Sequence, residues 1–169
     1  GPGDKDLGIG FWAHSGGAGP SSESTFIDTA GAKGAELWRV VVGARPSGAG
    51  AICSTLKLPF YGTDVADVSK VYLYRQGGSG HSGVVDGTDE MIAEAGLGGN
   101  RTATLSGLLE AFSSGQRGMY LVAVSLTAGA TSGNVIGFSL HAGNDVVVSN
   151  GVIRTRPTDV LVDLIVFDE

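Results

Sequence analysis

The residues whose types and spacing best suggest chemistry lie in Val68–Glu90, VSKVYLYRQGGSGHSGVVDGTDE. A strand-like run opens into a Gly/Ser-rich loop and closes on Gly83-Val84-Val85-Asp86-Gly87-Thr88-Asp89. Twelve-residue calcium loops place oxygen ligands at positions one, three, five, seven, nine and twelve, with glycine at six. With Gly83 at six, Asp86 falls at nine, Asp89 at twelve and the Val84 carbonyl at seven. Positions one, three and five are then Gly78, Gly80 and Ser82. Ser82, Val84, Asp86 and Asp89 are therefore the candidate ligands, and Ca²⁺ is the candidate cofactor. They supply about half of the six to eight oxygens the ion takes. The competing reading is an acidic turn, with Asp86 and Thr88 capping it and Asp89 and Glu90 in the first turn that follows.

Other polar groups suggest less chemistry. His14-Ser15 and His81-Ser82 put an imidazole beside a hydroxyl, but sequence neighbours in a loop do not set up base–nucleophile geometry. His14, His81 and His141 lack zinc-ligand spacing, and no pair among the 17 acidic residues is singled out. The expectation is a protein that is not an enzyme. Trp12, Tyr61 and Tyr74 are candidate platforms for a sugar ring, set against core packing as the ordinary fate of aromatics in strands.

A chain of 169 residues suits one domain and is long enough to bury a sizeable core. Hydrophobic residues make up 42% and charged residues 17%, which excludes a disordered chain. There are 29 glycines, more than twice the usual ~7%, with no collagen period, so tight turns must be many. The 11 Lys and Arg are scattered in a chain of net charge −6, which argues against nucleic acid as a partner. No apolar run reaches the ~20 residues of a membrane span. Cys53 is the single cysteine, which rules out an internal disulfide and points to a packed thiol.

The elements that must position these residues read as strands. Ile52, Ser54, Leu56, Leu58 and Phe60 alternate with Cys53, Thr55 and Lys57. Ile136, Phe138 and Leu140 form a second row. Tyr120, Val122, Val124 and Leu126 oppose Met119, Leu121 and Ala123 in a strand apolar on both faces. Further strands are expected at Leu7–Ala13, Ser24–Thr29, Glu36–Ala44, Val68–Arg75, Thr102–Ser106, Asp145–Val148 and Val160–Phe167. Thr88–Ala95 and Leu108–Phe112 read as one or two helical turns each. About ten strands at this spacing predict an all-β fold, a β-sandwich of jelly-roll-like or immunoglobulin-like form.

Residues 1–22 read as an N-terminal arm with one strand, and 23–169 as the sandwich domain. The final stretch, 159–169, is apolar on both faces and must be covered on both sides. Leu7, Ile9 and Phe11 in the arm, and Val160, Val162, Leu164 and Val166 at the end, are candidate assembly residues. They would act by strand exchange with another subunit, the chain itself being the expected partner.

Three segments carry a family resemblance: Asp64-Val65-Ala66-Asp67-Val68-Ser69-Lys70-Val71-Tyr72-Leu73-Tyr74, Thr102–Leu108 and Gly118–Asn134. Together they resemble the bacterial secreted β-sandwich module found ahead of BNR-repeat neuraminidases and in other extracellular surface proteins. The resemblance spans roughly 34–152. It implies a non-catalytic, structural or adhesive role outside the cell or at its surface, as a fibre, appendage or surface-layer subunit. Related modules often carry an Asn-Gly-x-Val-Asp-x-x-Asp loop after the corresponding strand, and this chain lacks the acidic ligands of its first half. The alternative role is a carbohydrate-binding accessory domain of a secreted glycosidase, with glycans as partners.

Overall fold

The structure is a computed structural model. It describes residues 4–13, 21–28, 36–44, 50–77, 87–113, 115–131, 133–140, 145–148, 152–157 and 161–167. The protein is all-β. In chain order the strands are β1 (Asp4–Ala13), β2 (Ser21–Asp28), β3 (Glu36–Ala44) and β4 (Ala51–Pro59). A 3-10 turn (Val65–Asp67) leads into β5 (Val68–Arg75), β6 (Glu90–Ala95), β7 (Thr102–Leu105) and β8 (Glu110–Phe112). They are followed by β9 (Arg117–Leu126), β10 (Val135–Leu140), β11 (Val146–Val148), β12 (Val152–Pro157) and β13 (Leu161–Phe167). No helix among the described residues is long and apolar enough to cross a membrane.

One sheet has the order β12-β13-β3-β9-β5-β6. A second has the order β11-β4-β7, with β8 also pairing β4, and a third joins β10, β1 and β2. The Phe60–Phe138 bridge links β10 to the end of β4, and the Leu97–Ala103 bridge ties the segment after β6 to β7. Period-two apolar rows of β4, β5, β7, β9 and β10 put side chains into a shared core. Val71 and Leu73 of β5 and Tyr120, Val122, Val124 and Leu126 of β9 meet Leu56, Leu58, Ala103, Leu105 and Phe112 from the other side. Ile136 and Phe138 of β10 are fully buried in the same cluster. Phe138 stands edge-on to Phe60, with ring centroids 5.4 Å apart at 78°, a favoured aromatic geometry.

The middle of the large sheet is buried on both faces, as the two-sided pattern of β9 requires. Tyr72 and Tyr74 of β5 form a second buried cluster with Leu121 and Ala123 of β9. Tyr74 is therefore core, 7% exposed, and is removed from the set of sugar platforms.

Several expectations need correction. Residues 88–95 are not helical: β6 pairs antiparallel with β5, from Val71↔Ala95 to Arg75↔Glu90. Glu, Met and Ala are good helix formers, but the open ladder of β5 overrides that weak preference. Residues 108–112 are extended too, because the Leu108 N–H donates to the Ser54 carbonyl at 3.0 Å and β8 pairs with β4. Alternation along β4 breaks at a register shift, where Val147 faces Thr55 but Val148 faces Cys53. The extra residue of such a bulge reverses the facing beyond it. Ala51 and Cys53 therefore point inward with Leu56, Leu58 and Phe60, and Ile52 turns outward at 42% exposure. β12 lies where the sequence pattern predicts no strand. Residue 22 lies in β2, which pairs β1 from Asp4↔Asp28 to Phe11↔Ser21.

The core makes a direct prediction. Phe138→Ala removes a fully buried ring and its edge contact to Phe60, so urea unfolding should show a loss of about 3–5 kcal/mol. A loss below about 1 kcal/mol would mean that the ring is not packed in the core described here.

Candidate functional site

Two groups of hydrogen-bonded polar side chains lie at the two ends of β5. At its start, Asp64 caps the 3-10 turn, its carboxylate accepting from the Ala66 N–H at 3.0 Å. That turn directs Asp67 inward, where it is 2% exposed. Its carboxylate accepts from the Thr131 N–H at 3.2 Å and from Asn134 Nδ2 at 2.8 Å. The Asp67 carbonyl accepts from the Thr127 N–H at 3.0 Å, and the Thr127 hydroxyl donates to the Ala66 carbonyl at 2.7 Å. A buried carboxylate left unpaired is costly, so these partners fix the turn against the loop between β9 and β10.

At the far end, Arg75 reaches across to the facing sheet. Its Nε and Nη2 donate to the two oxygens of Glu110 at 2.9 and 2.5 Å, a bidentate fork, and Nη1 donates to Glu90 at 2.6 Å. Tyr120 donates its hydroxyl to Glu110 Oε1 at 2.8 Å. The Glu110 side chain is only 10% exposed, whereas those of Arg75 and Glu90 are 43% and 68% exposed. The Arg75–Glu110 fork is thus the consequential pair, and Glu90 adds little through solvent screening. Gly118 makes room for it, since a Cβ there would lie 2.9 Å from the Tyr120 oxygen and 3.0 Å from the Phe112 ring.

The electrostatics follow from these contacts. Hydrogen bonding to Arg75 holds the Glu110 carboxyl below its ordinary range, against the opposing effect of burial. Burial first, and then the hydrogen bond to Glu110, push the Tyr120 phenol up. Cys53 lies beside this group, in the lining of a cavity of about 10 Å³ with Leu56, Leu73, Leu108, Glu110, Phe112 and Tyr120. That is room for about one water molecule. Burial pushes the Cys53 thiol up to about 11, so it is a packing group and not a nucleophile at neutral pH.

Of the candidate calcium ligands, Ser82, Val84 and Asp86 lie outside the described residues. Asp89 is described, and its Oδ1 accepts from the Gly77 N–H at 3.0 Å, closing the base of the intervening loop. Gly77 is required there, because a Cβ would fall 1.7 Å from the Thr88 carbonyl oxygen. Among the described residues, no group of three or more His, Cys, Asp or Glu gathers around one point. Of the sugar-platform candidates, Tyr61 is 53% exposed. It follows Phe60, over whose ring the Arg101 guanidinium lies at 5.7 Å. Trp12 sits in β1 opposite Ser139, and its side chain lies outside the described ones.

The assembly candidates lie in strands paired within the chain. Leu7, Ile9 and Phe11 belong to β1, between β10 and β2. Val162, Leu164 and Val166 belong to β13, between β12 and β3. Val160 lies outside the described residues. The Asp67 and Glu110 groups were missed from sequence, because their partners are distant along the chain. The nearest signal was the Asp64-x-x-Asp67 spacing, a capped turn at a strand entrance. No family model matches the chain, and no curated protein matches it.

Two predictions follow from the geometry. The folded chain favours ionised Glu110, so this contribution is fully present above the ordinary carboxylate value of 4.5 and is lost as pH falls through the lowered folded value. Glu110→Gln should cost about 1–3 kcal/mol at pH 7 and flatten the acid limb of a stability–pH profile. Tyr120→Phe, which removes one of the donors, should cost about 1 kcal/mol. An unchanged acid limb in Glu110→Gln would contradict the assignment. Gly77→Ala should force the loop base apart and lower stability by about 2 kcal/mol or more, read from its melting curve. A variant as stable as the parent would refute the Gly77–Asp89 closure.

Proposed function

We propose that the chain is a non-catalytic β-sandwich module, jelly-roll-like in its facing sheets, of an extracellular or cell-surface protein, and that its role is structural or adhesive. One observation carries this reading. The Asp67 group joins two of the three segments, 64–74 and 118–134, that carry the resemblance to the neuraminidase-associated modules. A buried carboxylate that organises two distant loops gives those motif residues a structural reason to occur together. The Arg75–Glu110–Tyr120 group fits the same role, since its polar atoms are turned on one another rather than towards a substrate cleft. The tyrosine exposed at Tyr61 favours the second reading, a carbohydrate-binding accessory module.

Two measurements on the purified chain separate these readings and test the loop. A glycan array should give a flat response. A strong response abolished by Tyr61→Ala would overturn the structural reading in favour of sugar binding. Melting curves with calcium and with chelator should agree within about 1 °C, because the loop holds only part of a ligand set. Occupied binding at about 100 times Kd would instead add about 2.7 kcal/mol and shift the midpoint by several degrees.

A further inference from the structure

β8 joins its sheet through three pairs with β4: Ala51↔Phe112, Ile52↔Ala111 and Cys53↔Glu110. One further backbone bond precedes them, from the Leu108 N–H to the Ser54 carbonyl. Each flank of this short ladder carries a glycine at positive φ, Gly107 at 71° and Gly115 at 74°. Glycine turns through that region without the steric cost other residues bear. The segment is buried on one face alone. Leu109 is 82% exposed and Ala111 is exposed beside it, whereas Leu108 and Phe112 point inward and are buried. Under these two lies the small cavity shared with Cys53, Leu56, Leu73 and Tyr120.

The tie from this segment to the large sheet is polar and sits on one residue. Glu110 rides on β8, while its donors, Arg75 of β5 and Tyr120 of β9, stand in the facing sheet. The Phe112 ring adds an edge contact to Tyr120, with centroids 6.4 Å apart at 78°. A segment with few ladder bonds and one buried face opens at a lower free energy than the sheets around it. Charge-assisted, bidentate hydrogen bonds are the strong ones, so the Arg75–Glu110 fork sets how often this segment lifts.

We propose that residues 108–112 form a hinged strap latched by Arg75 through Glu110, and that its release uncovers the slot at Cys53 while both sheets stay folded. Gly107 and Gly115 take up the backbone rotation. Cys53 reports the state of the strap. It is 5% exposed with the strap shut, and lifting β8 removes its Glu110 pair together with the Leu108 and Phe112 side chains that line the slot. The strap does not depend on the structural-module reading.

The test labels Cys53, the single cysteine, in the native full chain at pH 7 with N-ethylmaleimide, read by mass at urea concentrations below the unfolding transition. The labelling rate should be nearly independent of urea, because lifting the strap exposes little surface. Glu110→Gln should speed labelling by about tenfold or more. Gly50→Ala should speed it with the latch intact, since a Cβ there would lie 2.7 Å from the Phe112 carbonyl oxygen. Asp67→Asn, at the other end of β5, should leave the rate unchanged. A rate that climbs from zero urea as steeply as global unfolding overturns the strap, because Cys53 is then reached only through the unfolded chain. A native chain that stays unlabelled overturns it too, as does equal acceleration by Glu110→Gln and Asp67→Asn.

Discussion

The structure depends on one contact between layers, the apolar seam where β5 and β9 face β4, β7 and β10. Val71, Val124, Ala103, Leu105, Ile136 and Phe138 are fully buried there. Such a seam is strong but poor at fixing register, since rows of aliphatic side chains tolerate sliding. Buried polar groups are less tolerant, because each needs a partner of fixed geometry. The seam is laced at both ends of β5 by groups of that kind: Asp67 with Thr131 and Asn134, and Arg75 with Glu110 and Tyr120. The core supplies cohesion, and the two clamps select one alignment of the sheets.

This arrangement explains how the chemical candidates came to their positions. Asp89 looks like a cation ligand when its loop is read alone, but its oxygen closes a ring with the Gly77 amide. Cys53 is the packed thiol its place in a strand leads one to expect, beside Leu56, Leu73 and Leu108, and burial raises it to about 11. Glu110 is the acid least open to solvent at the far clamp, and Arg75 holds it ionised. Each is a polar group committed to the frame.

Local pattern made much of the frame legible. The bounds of β3 and β5 follow directly from β-branched and aromatic runs, and the two-faced burial of β9 follows from its uninterrupted apolar residues. What stayed hidden depended on partners far along the chain. β6 carries helix-forming residues and becomes a strand only because β5 offers an edge. The bulge in β4, which turns Ile52 out and Cys53 in, arises where β11 pairs with it, and no residue of β4 announces it. The clamps join residues 35 and 67 positions apart, so neither periodicity nor spacing could pair them.

The most direct test of the clamped seam is native-state hydrogen exchange at the Thr131 amide. It lies outside the strands, and its acceptor is the Asp67 carboxylate. If the clamp holds the frame, this amide will exchange as slowly as those of Val71 and Val122, through global unfolding. Exchange at the rate of an open loop, while the strand amides stay protected, would contradict the account.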